Sequence, residues 1–113
     1  LQGIRVVELT HTILGPSCGM ILADLGAEVI KVEPLDGDHT RIVGPYHPKD
    51  EVKHFGGYFA SVNRNKKSIA VDLKQLEGRD IVLKLCEGAD AIVEKCLAGG
   101  APDNLSLVLV RLS

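Results

Sequence analysis

Cys18-Gly19-Met20-Ile21-Leu22-Ala23-Asp24-Leu25-Gly26-Ala27-Glu28-Val29-Ile30-Lys31-Val32 is the stretch whose reading decides the fold. Cys18, Ile21, Leu22 and Leu25 follow the 3, 1, 3 spacing of one helical face. Gly26 then supplies a left-handed stop, and Glu28 to Val32 is a short apolar run rich in β-branched residues, as a buried strand requires. Upstream, Ile4 to Leu9 has the same strand character and ends before Gly15-Pro16-Ser17, where proline suits the first helical turn. Strands near 4–9 and 28–32 around a helix near 16–25 make a βαβ unit, the building block of a parallel sheet.

The pattern recurs after a long connection. A strand is predicted near 68–73, a helix near 77–87 with Ile81, Val82, Leu85 and Cys86 on one face, and a strand near 91–94. The two helix ends resemble each other, Leu25-Gly26-Ala27-Glu28 against Glu87-Gly88-Ala89-Asp90, a likeness that shared turn mechanics explains without duplication. Pro34 to Asn65 holds Gly37, Gly44, Pro45, Pro48, Gly56 and Gly57 and is predicted to be an irregular loop, functional or mobile. After Glu94 the composition shifts to a Gly, Ala and Pro-rich stretch and then to Leu105 to Leu112, strongly apolar and without an evident partner, so residues 95–113 are set apart as a tail.

With 113 residues, 45% of them hydrophobic, the chain has room for one domain or part of one. Thirteen basic against fifteen acidic side chains give a net charge of -2, which disfavours a nucleic-acid partner. No apolar run approaches the about 20 residues of a membrane span, so no membrane partner is predicted. Cys18, Cys86 and Cys96 lack disulfide or zinc spacing, which fits a reducing compartment, and no metal is predicted. The chain opens on Leu1 and enters a strand almost at once, so its true start is expected to be missing or processed.

Neither a dinucleotide-binding nor a P-loop glycine pattern follows either first strand. The first strand leads instead into Thr10-His11-Thr12-Ile13-Leu14-Gly15-Pro16, at the carboxyl edge of the sheet and before a helix start, where open α/β sheets bind ligands and amides favour anions. An ordinary strand-to-helix turn is the plain alternative. His11 is a base or a local hydrogen-bonder, and His39, His47 and His54 are expected to be solvated. Asp36, Asp38, Arg41 and the Asn63-Arg64-Asn65-Lys66-Lys67 run form either an ordinary charged surface or a phosphate patch. Cys18 and Cys86 fall on apolar helical faces and are expected to pack.

Four blocks then stand in order: Gly15-Pro16, Leu22 to Glu33, Gly37-Asp38-x-Thr40-Arg41, and Asn63 to Leu73. Together they resemble the start of the class III CoA-transferases, the CaiB/BaiF family, over roughly Gly3 to Glu94. The resemblance implies an α/β fold with a partial Rossmann-like parallel sheet, residues 1–94 forming the first part of a large domain. It implies transfer of coenzyme A between an acyl-CoA and a carboxylic acid through an aspartyl-CoA thioester, in an interlocked homodimer. The catalytic aspartate of the family has no match here, since none of Asp24, Asp38, Asp72 or Asp90 corresponds to it. The isolated chain is therefore expected to be inactive. His11, Thr12, Ile13, Leu14, Val71 and Lys74 match CoA-contacting positions, and Arg41 is a motif position near them.

Two departures stand out. Pro34 replaces an arginine common in the family, and Lys95-Cys96-Leu97 replaces an Asn-aromatic-turn pattern, which a truncation, an alternative exon or a frame shift would explain. An α-methylacyl-CoA racemase and a non-catalytic CoA-binding fragment are the competing functions. The compartment implied is the cytoplasm, or the mitochondrial matrix if the source is eukaryotic.

Overall fold

The computed structural model describes the backbone of residues 1–97 and 105–111 and the side chains of residues 1–93. Strands β1 (Arg5–Leu9), β2 (Glu28–Glu33), β3 (Lys67–Ala70), β4 (Ala91–Leu97) and β5 (Leu105–Arg111) form one sheet in the order β3-β2-β1-β4-β5. The first four are parallel, and β5 runs antiparallel to β4 from Ala91↔Arg111 to Leu97↔Leu105. The apolar stretch near the end, left without a partner by sequence reasoning, is therefore an edge strand. Of the Gly, Ala and Pro-rich stretch from Cys96 to Asn104, Cys96 and Leu97 end β4 and residues 98–104 lie outside the described residues.

Alternation along β1 separates two cores. Val6 joins Ala23, Ala27, Val29 and Val93 under helix α1 (Leu14–Asp24), while Val7 joins Val32, Val71, Val82 and Ala89 under helix α3 (Leu76–Glu87). Each valine so buried contributes about 1.5–3 kcal/mol of transfer free energy and each alanine less, and the two clusters fix α1 and α3 on opposite faces of the sheet.

Helix α1 starts two residues earlier than predicted, so Pro16 lies within the first turn, where its missing N–H leaves no helical hydrogen bond unmade. The long connection is not wholly irregular. It carries a 3₁₀ turn at His39–Ile42, with Asp38 accepting from the Thr40 N–H, and helix α2 (Gly57–Asn63), which packs near α1. Phe59 is the buried anchor of α2. One fully buried apolar residue in a seven-residue helix is too little periodicity to detect in the sequence.

The two helix ends differ in mechanism. Gly26 adopts φ 100°, donating to Ala23 O while Ala27 donates to Leu22 O, the paired bonds of a Schellman stop. Gly88 stays at φ -90°, because α3 runs to Glu87 and Gly88 itself is the cap. Gly26→Ala should therefore lower stability by about 1–2 kcal/mol. Gly88→Ala should be near neutral, since its new methyl would meet nothing closer than 3.6 Å. Urea unfolding of the two variants checks the contrast.

Candidate functional site

In a 3-2-1-4 strand order the direction of winding reverses beside β1, and ligands of open α/β sheets sit outside the carboxyl ends of the strands at that point. The segment leaving β1 there is Thr10 to Leu14. Thr10 is buried, its side chain against Gly15, where an added Cβ would come within 2.4 Å of it. His11, Ile13 and Leu14 are exposed, and Thr12 is partly buried at φ 74°, a left-handed conformation that a β-branched residue holds only when its surroundings enforce it. The His11 ring sits at 3.0 Å from Thr12 Oγ1 and meets the His39 ring edge to face at 5.7 Å, joining the turn after β1 to the loop after β2. The first intrahelical bond is Ser17 N–H to Ile13 O, so the amides of Leu14 and Gly15 precede it, and α1 has no acidic residue in its first turn. Such a helix start favours an anion.

Val71 is buried just beyond β3, and Lys74 is exposed three residues on, its N–H donating to Asp72 Oδ1. Both lie on the same sheet edge as His11, but β3 is separated from β1 by β2, roughly 10 Å across two strand spacings. Only an extended ligand spans that distance. Arg41 lies in the same loop as His39, yet its guanidinium faces inward. It donates to both oxygens of Glu33 at 2.7 and 2.6 Å and covers the Phe59 ring at 3.8 Å.

Sequence reasoning missed the buried charges behind this edge. Glu8 is fully buried: its Oε1 accepts from Thr10 Oγ1 at 2.8 Å and from Lys31 Nζ at 3.1 Å. Its Oε2 has no aligned hydrogen bond but lies 2.8 Å from Lys66 Nζ, an ion pair. Lys31 also pairs with Asp38 at 3.1 Å. Gly19 makes the space, because a Cβ there would sit 1.9 Å from Glu8 Oε2. The signal was present in the alternation, since Glu8 follows Val6, and Lys31 follows Val29, at inward positions of two strands. The structure sets Glu8 and Lys31 side by side in register.

Burial pushes the Glu33 carboxyl up, but hydrogen bonds from Arg41, Ser68 and the Asp38 N–H hold it below the usual range. Asp38 is likewise lowered, its desolvation outweighed by Thr40 and Lys31. Burial pushes the Lys66 ammonium down, opposed by Glu8. Desolvation and then the Glu8 charge raise the Cys18 thiol, which packs as expected against the α1 core, as Cys86 does against the α3 core. His39, His47 and His54 are exposed. In the Asn63 to Lys67 run each cation has an acid: Arg64 binds Asp24, Lys66 binds Glu8 and Lys67 binds Glu28. A cavity of about 220 Å³ lined by Lys31, Glu33, Arg41, Phe59 and Lys66 lies on that side, its cations neutralised in the same way. Among the described residues no group of three or more His, Cys, Asp or Glu could hold a metal, and no helix is long and apolar enough to cross a membrane.

Four parallel strands with an acid-free helix start at the switch point define an α/β fold of the Rossmann-like kind. The chain belongs to CoA-transferase family III, whose model matches residues 1–108. It is 46% identical over 99 residues to succinyl-CoA:mesaconate CoA-transferase of Haloarcula hispanica, covering 88% of this chain and 25% of that protein. It is 49% identical over 100 residues to succinyl-CoA:glutarate CoA-transferase of Mus musculus, covering 88% and 22%. A CaiB/BaiF family protein from Brucella suis superposes with a TM-score of 0.78 at 43% identity, over 88% of this chain and 26% of that one. The chain thus spans about a quarter of the length of the relatives it matches.

The depressed carboxyls fix the sign of an acid transition. A lowered folded pKa means stability present above the unfolded value, about 4, and lost as pH falls through the folded value. Glu33→Gln should therefore flatten the loss of stability below pH about 4, which urea unfolding across pH 2–6 measures.

Proposed function

We propose that this chain is the CoA-binding first part of an enzyme that moves coenzyme A from an acyl-CoA to a carboxylic acid, with residues 1–94 belonging to its large domain. The observation that carries the reading is the match of the family to a chain whose switch-point turn has an acid-free helix start. His11, Thr12, Ile13 and Leu14 contact the coenzyme after β1, Val71 and Lys74 contact it after β3, and Arg41 supports the loop between them. The relatives' substrates, succinyl-CoA with mesaconate or glutarate, make a short dicarboxylic acid the favoured acceptor.

The reaction itself needs an aspartate that these residues do not supply. Its carboxylate attacks the acyl carbon and expels CoA thiolate, leaving an acyl-aspartyl anhydride. The thiolate then attacks the aspartyl carbon, releasing the donor acid and leaving an aspartyl-CoA thioester. The acceptor carboxylate runs the same two steps in reverse. Within the chain the acids near the edge are engaged otherwise, Asp38 by Lys31 and Thr40, Asp72 by the Lys74 N–H. The full-length enzyme is an interlocked homodimer of the cytoplasm or the mitochondrial matrix.

Two measurements test this. The purified chain with succinyl-CoA and glutarate should form no glutaryl-CoA above a blank, and turnover that survives repurification would place the nucleophile within these residues. Calorimetry should show CoA binding weakened about fivefold by Lys74→Ala, the equivalent of about 1 kcal/mol for one exposed charge-assisted contact. Unchanged affinity would remove Lys74 from the site.

A further inference from the structure

The two buried lysines share a pattern that the coenzyme site does not require. Each ammonium, with three donors, has three partners from three different places. Lys31 reaches Glu8 Oε1, Asp38 and the backbone carbonyl of Thr10, the last at 2.8 Å. Lys66 reaches Glu8 Oε2, Asn63 Oδ1 and the backbone carbonyl of Pro16, the last two at 2.8 Å. Thr10 and Pro16 bracket the turn. Residues 11–15 are thus strung between two ammonium groups that share one carboxylate.

We propose that Lys31 and Lys66 are positioning residues: anchored on the two oxygens of Glu8, they hold the carbonyls at both ends of the turn and set where it presents its amides to a coenzyme phosphate. This rests on the reading of that turn as a CoA contact. Three further observations belong to the same device. Thr10 Oγ1 donates to Glu8 Oε1, tying the turn's first residue to the shared carboxylate. Gly19 lets Glu8 approach α1, and Gly15 lets Thr10 pack on the helix start. Thr12 is held at φ 74° between the two anchors, where an unrestrained threonine would relax to the extended or helical region.

The test uses Lys66→Met, the charge-balanced Glu8→Gln/Lys66→Met, and Lys84→Met as a remote exposed control on α3. Amide resonances of residues 11–15, thermal midpoint and CoA affinity are recorded for each. Both site variants should displace the amides of residues 11–15 and raise the CoA Kd at least tenfold, while Lys84→Met does neither. A lone buried Glu8 is costly, so if Lys66→Met does not fold, the double variant decides. A folded double variant with parental amide shifts at 11–15 and parental CoA affinity would overturn the proposal, whatever its midpoint. If CoA shifts no amide of residues 11–15 in the parent, the coenzyme reading of the turn falls, while displacement of those amides by Lys66→Met still supports the anchoring itself.

Discussion

Glu8 is a carboxylate with no exposure in β1, which lies between β2 and β4, and the arrangement around it follows from the cost of putting it there. An ion taken out of water carries a penalty of several kcal/mol unless oppositely charged groups meet it in good geometry. Lys31 arrives from β2 by parallel register, directly opposite Glu8. Lys66 arrives from the link between α2 and β3, where Asn65 turns at φ 65° and its side-chain amide donates to Ala23 O. Gly19 removes the side chain that would collide. Segments far apart in the chain, from β1, β2, α1, α2 and the link into β3, thereby meet at one point.

Local pattern made the two βαβ units legible. Period-two apolar runs and a 3, 1, 3 helical face survive in short windows because α1 and α3 each bury one face against the sheet. The remainder was hidden for physical reasons. Helix α2 owes its place to Phe59, which packs under the Arg41 guanidinium, a contact across residues 41 to 59 that no window reveals. β5 owes its place to the free edge of β4, since an unpaired row of backbone groups takes a strand wherever one is available. The turn after β1 was found from its position and from family resemblance, whereas the ionic group behind it required seeing that two inward strand positions carry opposite charges and face each other. Arg41 shows the converse: its motif position suggested a ligand contact, and both its ion pair and its ring contact face the protein.

A buried ion pair is weak evidence of added stability, because an apolar replacement of the same volume often does as well or better. What an apolar group cannot do is fix carbonyl oxygens. Directed hydrogen bonds from an ammonium limit where its partner oxygens can lie, and here two ammonium groups, each with two hydrogen bonds and an ion pair, sit on one carboxylate. The network is better understood as geometry for the edge than as cohesion for the core.

That distinction also reconciles the global charge with the local one. A chain of net charge -2 repels an anion at long range, yet screening confines such fields to about 8–10 Å at physiological salt. Inside that range the balance differs. Asp38, Glu8 and Glu33 are buried and matched by Lys31, Lys66 and Arg41. The helix start carries no acid in its first turn. The positive end of α1 thus opens onto an edge behind which three buried acids are already paired, while Asp36 and Asp72 stay on its surface.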